Sequence, residues 1–183
     1  MSEEDSLGMK VQALVARSEI LECLNRYARG MDRHDRELVR SAYHEGAIDV
    51  HGSQAFTVED FINWAFAYHE SQLHHQHYIT NFTIDVDGDS AHSECYYLFV
   101  ARYAAREAAL TMAGGRYVDR LERRDGRWAI ATRVCTAEWR TTPESKLPDR
   151  GRPQIVPEVQ VTHDVTDVSY VRPLEVEMLS ETR

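Results

Sequence analysis

The chain changes its period after residue 74, and that change limits what it can fold into. Upstream, apolar residues recur at helical spacing; downstream, they alternate. Two Asp-Gly pairs, in "DGD" at 87–89 and "RDGR" at 124–127, interrupt the alternation where hairpins would turn. Four strands are therefore predicted, in "HYITNFTIDV", "AHSECYYLFVARYA", "ALTMAGGRYVDRLER" and "WAIATRVCTAEWR". Gly114 and Gly115 inside the third predict a bulge that bends it. Before them, Ile20, Leu24, Tyr27 and Met31 share one face of a helix predicted over 10–31, with Gly30 loosening its end. "MDRHDRELVRSAYH" predicts a turn and a short second helix, capped by Asp32 or Asp35, with Leu38, Val39 and Ala42 inward. Residues 46–51 suit a short strand. "TVEDFINWAFAYHESQ" predicts a third helix, opened by a loose capping box from Thr57 to Asp60 and running through Phe61, Trp64, Ala65 and Tyr68. Three helices followed by an antiparallel meander belong to the α+β class, with the helices packed on one face of a curved sheet.

The 183 residues suit one domain, 1–140, with an appendage, 141–183. The appendage carries four of the five prolines within "TTPESKLPDRGRPQIVPEV" and reads as an extended arm: a lid, a subunit contact or a partly disordered tail. A net charge of −9 repels phosphate backbones, so nucleic acid is not an expected partner. No run approaches the roughly 18 apolar residues that span a bilayer, and no membrane partner is expected. The opening "MSEEDSLGMK" is acidic, unlike a signal peptide. Cys23, Cys95 and Cys135 are too scattered for a disulfide framework. A cytoplasmic protein with reduced thiols is expected.

Both faces of 94–103 carry large apolar groups. Helices can cover only one of them, so a second subunit is expected on the other, in a homodimer or homotrimer. In 128–139, Ala129, Ala131, Cys135 and Ala137 flank Arg133 on one face. Small side chains around one charge fit a pocket wall; an edge position with Arg133 reaching solvent fits equally well.

The stretch "LHHQHYITN" at 73–81 concentrates imidazoles. On a strand His75 and His77 share a face and could begin a metal site with His51, His92 or Glu94, but no fixed-spacing partner follows them. "DVDGDS" resembles the opening of a calcium loop but lacks the glycine at its sixth position. No dinucleotide fingerprint, P-loop or G-x-S-x-G elbow is present, so neither metal nor cofactor is expected. Acid–base chemistry remains, with Tyr27, Asp32, His77 and Arg133 as the residues of interest. Five residues along a helix put Tyr27 and Asp32 about 140° apart. On periodicity alone Asp32 reads as an N-cap and Tyr27 as a core tyrosine.

"RYARGMDRHD" closing a first helix, "HYITN" opening the sheet and "YVDRLERRDGRWAIATR" closing it resemble the SnoaL-like group of the nuclear-transport-factor-2-like superfamily over about residues 10–140. That group includes scytalone dehydratase, a hexachlorocyclohexane dehydrochlorinase, a bile-acid 7α-dehydratase and polyketide cyclases. The resemblance implies a cone, in which a curved sheet wraps three helices around a deep pocket. It also implies roles. Asp32 of "GMDRHD" orients His77 of "HYITN", which acts as general base. Tyr27, five positions before the aspartate, donates a hydrogen bond to the substrate. Arg133 of "RVCT" holds an oxyanion or the departing group. Trp64, Tyr68, Tyr97, Phe99, Tyr103 and Met112 line the wall and select a hydrophobic cyclic or aromatic small molecule, while His74 and His75 are structural. The implied activity is a cofactor-free, dehydratase-type elimination. Retro-aldol release of a small aldehyde from an aryl diol, an isomerase or cyclase, and a non-catalytic binding protein are the alternatives.

Overall fold

A computed structural model describes residues 3–103, 110–142, 162, 164–166 and 170. Helix α1 (Glu3–Asp32) leads into α2 (Arg36–Ser41), β1 (Tyr43–His51), β2 (Gln54–Thr57) and α3 (Val58–His69). The long strands follow: β3 (Gln72–Asp87), β4 (Ser90–Tyr103), β5 (Leu110–Arg124) and β6 (Arg127–Thr141). They form one six-stranded sheet in the order β2-β1-β6-β5-β4-β3. Every pairing is antiparallel except β1 with β6. This is the α+β cone that the sequence led us to expect, with three helices on the inner face of a curved, unclosed sheet.

The hairpins sit where the Asp-Gly pairs predict them. Asp125 and Gly126 both take positive φ, 52° and 77°, which turns β5 into β6 with the twist a two-residue loop needs. Gly88, at φ 58°, turns β3 into β4. Asn81 stands at φ 54° where the β3–β4 register shifts between Thr80 and Thr83. Asparagine tolerates that left-handed conformation better than other side-chain-bearing residues. The predicted glycine bulge is present too: the β5–β6 register shifts between Gly114 and Gly115. A Cβ on Gly115 would stand 1.8 Å from the Thr136 carbonyl oxygen, so only glycine lets the two backbones close there.

Three expectations need correction. The first helix begins at Glu3, not near 10. Its first half projects past the sheet, with Leu7, Val11 and Leu14 exposed, and burial starts at Ala16. An apolar face therefore marks where a helix is covered rather than where it starts. Gly30 does not loosen the end of the helix, which runs on through it to Asp32. It sits inside the last turn, where a Cβ would lie 2.7 Å from the Val39 side chain, and so admits α2 against α1. Third, the meander is extended not only by the expected strand, β1, which begins earlier at Tyr43, but also by β2, which the sequence did not suggest. After β2, α3 carries the chain to the far edge of the sheet, and the meander returns strand by strand until β6 meets β1. That return makes the β1–β6 pair parallel.

The core lies between α1, α3 and the inner sheet face, around Ile20, Leu24, Tyr27, Met31, Phe61 and Leu121, each at most 2% exposed. The side chain of Asp35, not Asp32, caps α2 by accepting from the Leu38 amide at 3.0 Å. Asp32 is thereby left for another partner. Most of the proline-rich segment lies outside the described residues. Tyr170 is described, and its hydroxyl donates to Asp35 Oδ2 at 2.8 Å while its ring lies under Arg29. Among the described residues no helix is long and apolar enough to cross a membrane.

Candidate active site

Between the helices and the inner sheet face lies a cavity of about 460 Å³. Helix α1 contributes Tyr27 and Met31, and α3 contributes Phe61, Trp64, Tyr68 and His69. The sheet contributes His77, Tyr97, Phe99, Tyr117, Cys135 and, from β1, His51. Volume and lining suit a small ring-bearing molecule.

Asp32 is the last residue of α1, and two contacts clip that end to β3. His75 Nε2 lies 3.1 Å from the Met31 carbonyl oxygen, and His77 Nδ1 lies 2.7 Å from Asp32 Oδ1. The backbone amide of His77 also donates to the same carboxylate, at 3.0 and 3.2 Å to its two oxygens. Held by both groups of one residue, Asp32 fixes the ring orientation and the Nδ1–H tautomer. The His77 and Asp32 side chains are 7% and 16% exposed. With Nδ1 engaged, Nε2 is the nitrogen left for a substrate in the cavity that His77 lines.

Neighbouring imidazoles are kept neutral. His75 is 2% exposed and His69 5%. Burial, helped for each by the other histidines nearby, pushes both down to about 3. Their rings stack at 4.2 Å between centroids, and His69 Nδ1 meets Gln72 Oε1 at 2.9 Å. Tyr27 is 1% exposed; burial pushes its phenol far above the ordinary range, so it stays a proton donor.

The structure brings His77, Tyr27, Trp64, Tyr68, Tyr97 and Phe99 to the cavity, with Asp32 directly behind His77. Three expected residues are placed elsewhere. Met112 pairs with Val100, on the sheet face opposite Phe99 and Ala101. The extra residue of the β5–β6 bulge is on β6, so the alternation of β5 is never reset in its favour. Tyr103 turns its hydroxyl to that of Tyr68, at 2.8 Å, and to Gln72 Nε2, at 3.3 Å, and so braces the wall from behind.

Arg133 is neither a pocket wall nor an edge. It is fully buried, and Asp119, also fully buried, holds it by two bonds: Nε donates to Oδ1 at 2.7 Å and Nη2 to Oδ2 at 2.6 Å. Its guanidinium carbon lies 4.1 Å from the Tyr27 ring centroid and 4.3 Å from that of Tyr117. Both rings line the cavity and Arg133 does not. Burial opposes its charge, but Asp119 and the surrounding phenols outweigh that and hold it protonated. Of the small side chains around it on β6, Cys135 and Ala137 do line the cavity, while Arg133 itself turns to Asp119. Arg133 thus positions the two tyrosines.

His51, Phe61, His69 and Tyr117 line the cavity and were not read from the sequence as pocket residues, and neither was Asp49 behind His51. For two of them a signal existed. "AIDVH" puts Asp49 and His51 on one strand face, and a paired acid and imidazole on a strand that must pack on a helix calls for an explanation. Among the described residues no group of three His, Cys, Asp or Glu is arranged to hold a metal ion. His92 is exposed, and Glu94 accepts from Arg116 at 3.0 Å.

Residues 12–134 match the SnoaL-like domain family. Solved structures with the same fold include the Kfla4162 protein of Kribbella flavida, 20% identical with a TM-score of 0.65, over 70% of this chain and 95% of that one. A candidate scytalone dehydratase from Novosphingobium aromaticivorans is 19% identical with a TM-score of 0.66, over 74% and 93%. The hexachlorocyclohexane dehydrochlorinase LinA-type3 of Novosphingobium barchaimii is 18% identical with a TM-score of 0.65, over 74% and 94%. At these identities the likeness is one of fold. No curated protein matches the chain in sequence.

Proposed function

The chain belongs to the SnoaL-like family, and on that premise we propose that it is a cofactor-free lyase, performing a dehydratase-type elimination on a cyclic or aromatic small molecule. Dehydratase- and dehydrochlorinase-type proteins among its structural neighbours support the class. The observation that carries the reading is the 2.7 Å bond between Asp32 and His77, at the wall of a cavity rich in aromatic rings.

His77 Nε2 takes a proton from carbon beside a carbonyl. Asp32 stabilises the imidazolium that results and keeps the ring in place. The Tyr27 phenol, which burial keeps protonated, donates to the carbonyl oxygen as enolate charge grows. Arg133 and Asp119 hold the Tyr27 and Tyr117 rings from behind. The enolate then expels the leaving oxygen, most simply a hydroxide that takes up a proton as it goes and departs as water.

Asp32→Asn separates orientation from binding. With aryl β-hydroxy ketones as test substrates and absorbance of the conjugated product as readout, kcat is expected to fall about 10²–10⁴-fold while ligand affinity changes little. An unchanged kcat would contradict the proposal. The outer sheet face exposes Tyr78, Tyr96, Val118 and Val134 at 38–47%, which supports assembly as a homodimer or homotrimer through that face. Light scattering should give two or three times the 21.1 kDa chain mass; a clean monomer would rule the assembly out.

A further inference from the structure

A second aspartate–histidine pair faces the same cavity. On β1, His51 Nδ1 bonds Asp49 Oδ1, and the other oxygen of Asp49 accepts the Tyr43 hydroxyl. Asp49 is fully buried, whereas the His51 side chain keeps 16% exposure and lines the cavity. Its ring is fixed on Phe61 at 4.7 Å, Trp64 at 5.8 Å and Tyr117 at 6.3 Å between centroids. Nothing in the mechanism above uses it. A buried carboxylate held by a tyrosine and aimed at a cavity-lining imidazole is costly unless that imidazole carries a proton.

The two pairs stand at opposite ends of the sheet, with β6, β5 and β4 between β1 and β3. Both rings also rest on α3, His51 on Phe61 and Trp64, His77 on His69 at 5.7 Å. Five to eight residues of helix separate those supports, about 8–12 Å of the α3 axis. Both rings line the one cavity, so a single substrate can meet both.

We propose that His51 is the general acid of this site, held by Asp49 and facing His77 across the substrate, and that it protonates the leaving oxygen. This rests on the lyase reading. His77 Nε2 takes the C–H proton and the C–H pair becomes the enolate; as the enolate collapses, that pair forms the new double bond. The C–O bond breaks with its pair on oxygen. The His51 Nε2 proton moves to that oxygen, which departs as water or an alcohol. Solvent then takes the proton from His77 and returns one to His51, so the cycle needs no further reactant. The substrate class follows: a carbonyl compound whose leaving group is a poor one, hydroxide or alkoxide, since a good leaving group needs no acid.

The groups facing His51 agree with a protonated ring. Asp49, itself bonded by Tyr43, meets it from β1, Cys135 pairs with it on β6 and Tyr117 packs on it from β5, while the Arg133 charge beside Asp49 is offset by Asp119. Tyr27 lies nearby on α1, and α3 adds Phe61, Trp64 and the neutral His69. Burial pulls the His51 pKa down, but the bond to Asp49 and the Cys135 thiol beside it outweigh burial and lift it to about 9. The ring therefore holds its proton at neutral pH and loses it as pH rises through about 9.

Two readouts on the full chain test this. Ring ¹⁵N NMR of the ¹⁵N-labelled protein, assigned with His51→Gln, should show His51 protonated at pH 8 and titrating near 9. Asp49→Asn should drop that titration below the ordinary histidine value of about 6.5. At pH 6, 4-nitrophenol should bind as its phenolate to the wild type and to His77→Gln, and at least tenfold more weakly to His51→Gln. A His51 ring that titrates at or below the ordinary value would overturn the proposal. So would equal phenolate affinity in His51→Gln, or a wild type that binds no phenolate. A His77→Gln variant that still turns over substrate removes the lyase reading but leaves both His51 readouts as they were, so the two failures are distinguishable.

Discussion

His77→Gln is expected to lower the rate of elimination by about 10²–10⁴-fold with the fold intact. Glutamine is polar and of similar reach, and its backbone amide still donates to Asp32 as that of His77 does. What it lacks is an imidazole nitrogen that can accept and release a proton. Initial rates on aryl β-hydroxy ketones, with a melting curve of the same preparation, separate the two properties. A variant that melts like the wild type and has lost its rate is the expected result. Retention of the wild-type rate would remove His77 from the chemistry and, with it, the lyase proposal.

Arg133→Met is expected to act on stability, at a cost of about 3–5 kcal/mol. The loss leaves the Asp119 carboxylate fully buried, facing two phenol rings with no cation. Against a typical total of about 5–15 kcal/mol, that loss moves the denaturant midpoint far toward zero. Removing both charges in Arg133→Met with Asp119→Leu should recover much of it, because no uncompensated carboxylate remains. The pair of measurements separates two roles for Arg133. A residue that bound an oxyanion directly would lose rate at unchanged stability. A residue that braces Tyr27 and Tyr117 loses stability first, and the double variant regains it. A single variant as stable as the wild type would contradict the structural role.

The fold was largely legible because its signals are local. Alternation, the Asp-Gly turns and the Gly114–Gly115 bulge each act within a few residues, and the structure has all three. The short β2 carries too few residues to show a period. The start of α1 was hidden because its first turns bury nothing. Caps were ambiguous for the same reason that they are common: Asp32 and Asp35 both stand before a helical run, and only packing decides which one bonds the Leu38 amide.

The amino-acid sequence alone determined the element types, the hairpins and the presence of an aspartate, a histidine and a tyrosine in a recognisable pattern. These depend on contacts a few residues long and on the chemistry of single side chains. Tertiary structure decided which charges meet. Asp32 reaches His77 across a separation of 45 positions, Asp119 captures the arginine that the family resemblance assigned to the pocket, and Asp49 holds a second imidazole on the opposite wall. A carboxylate can neutralise or orient any cation that the fold brings within about 3 Å, and that choice belongs to the closing of the sheet around α1 and α3.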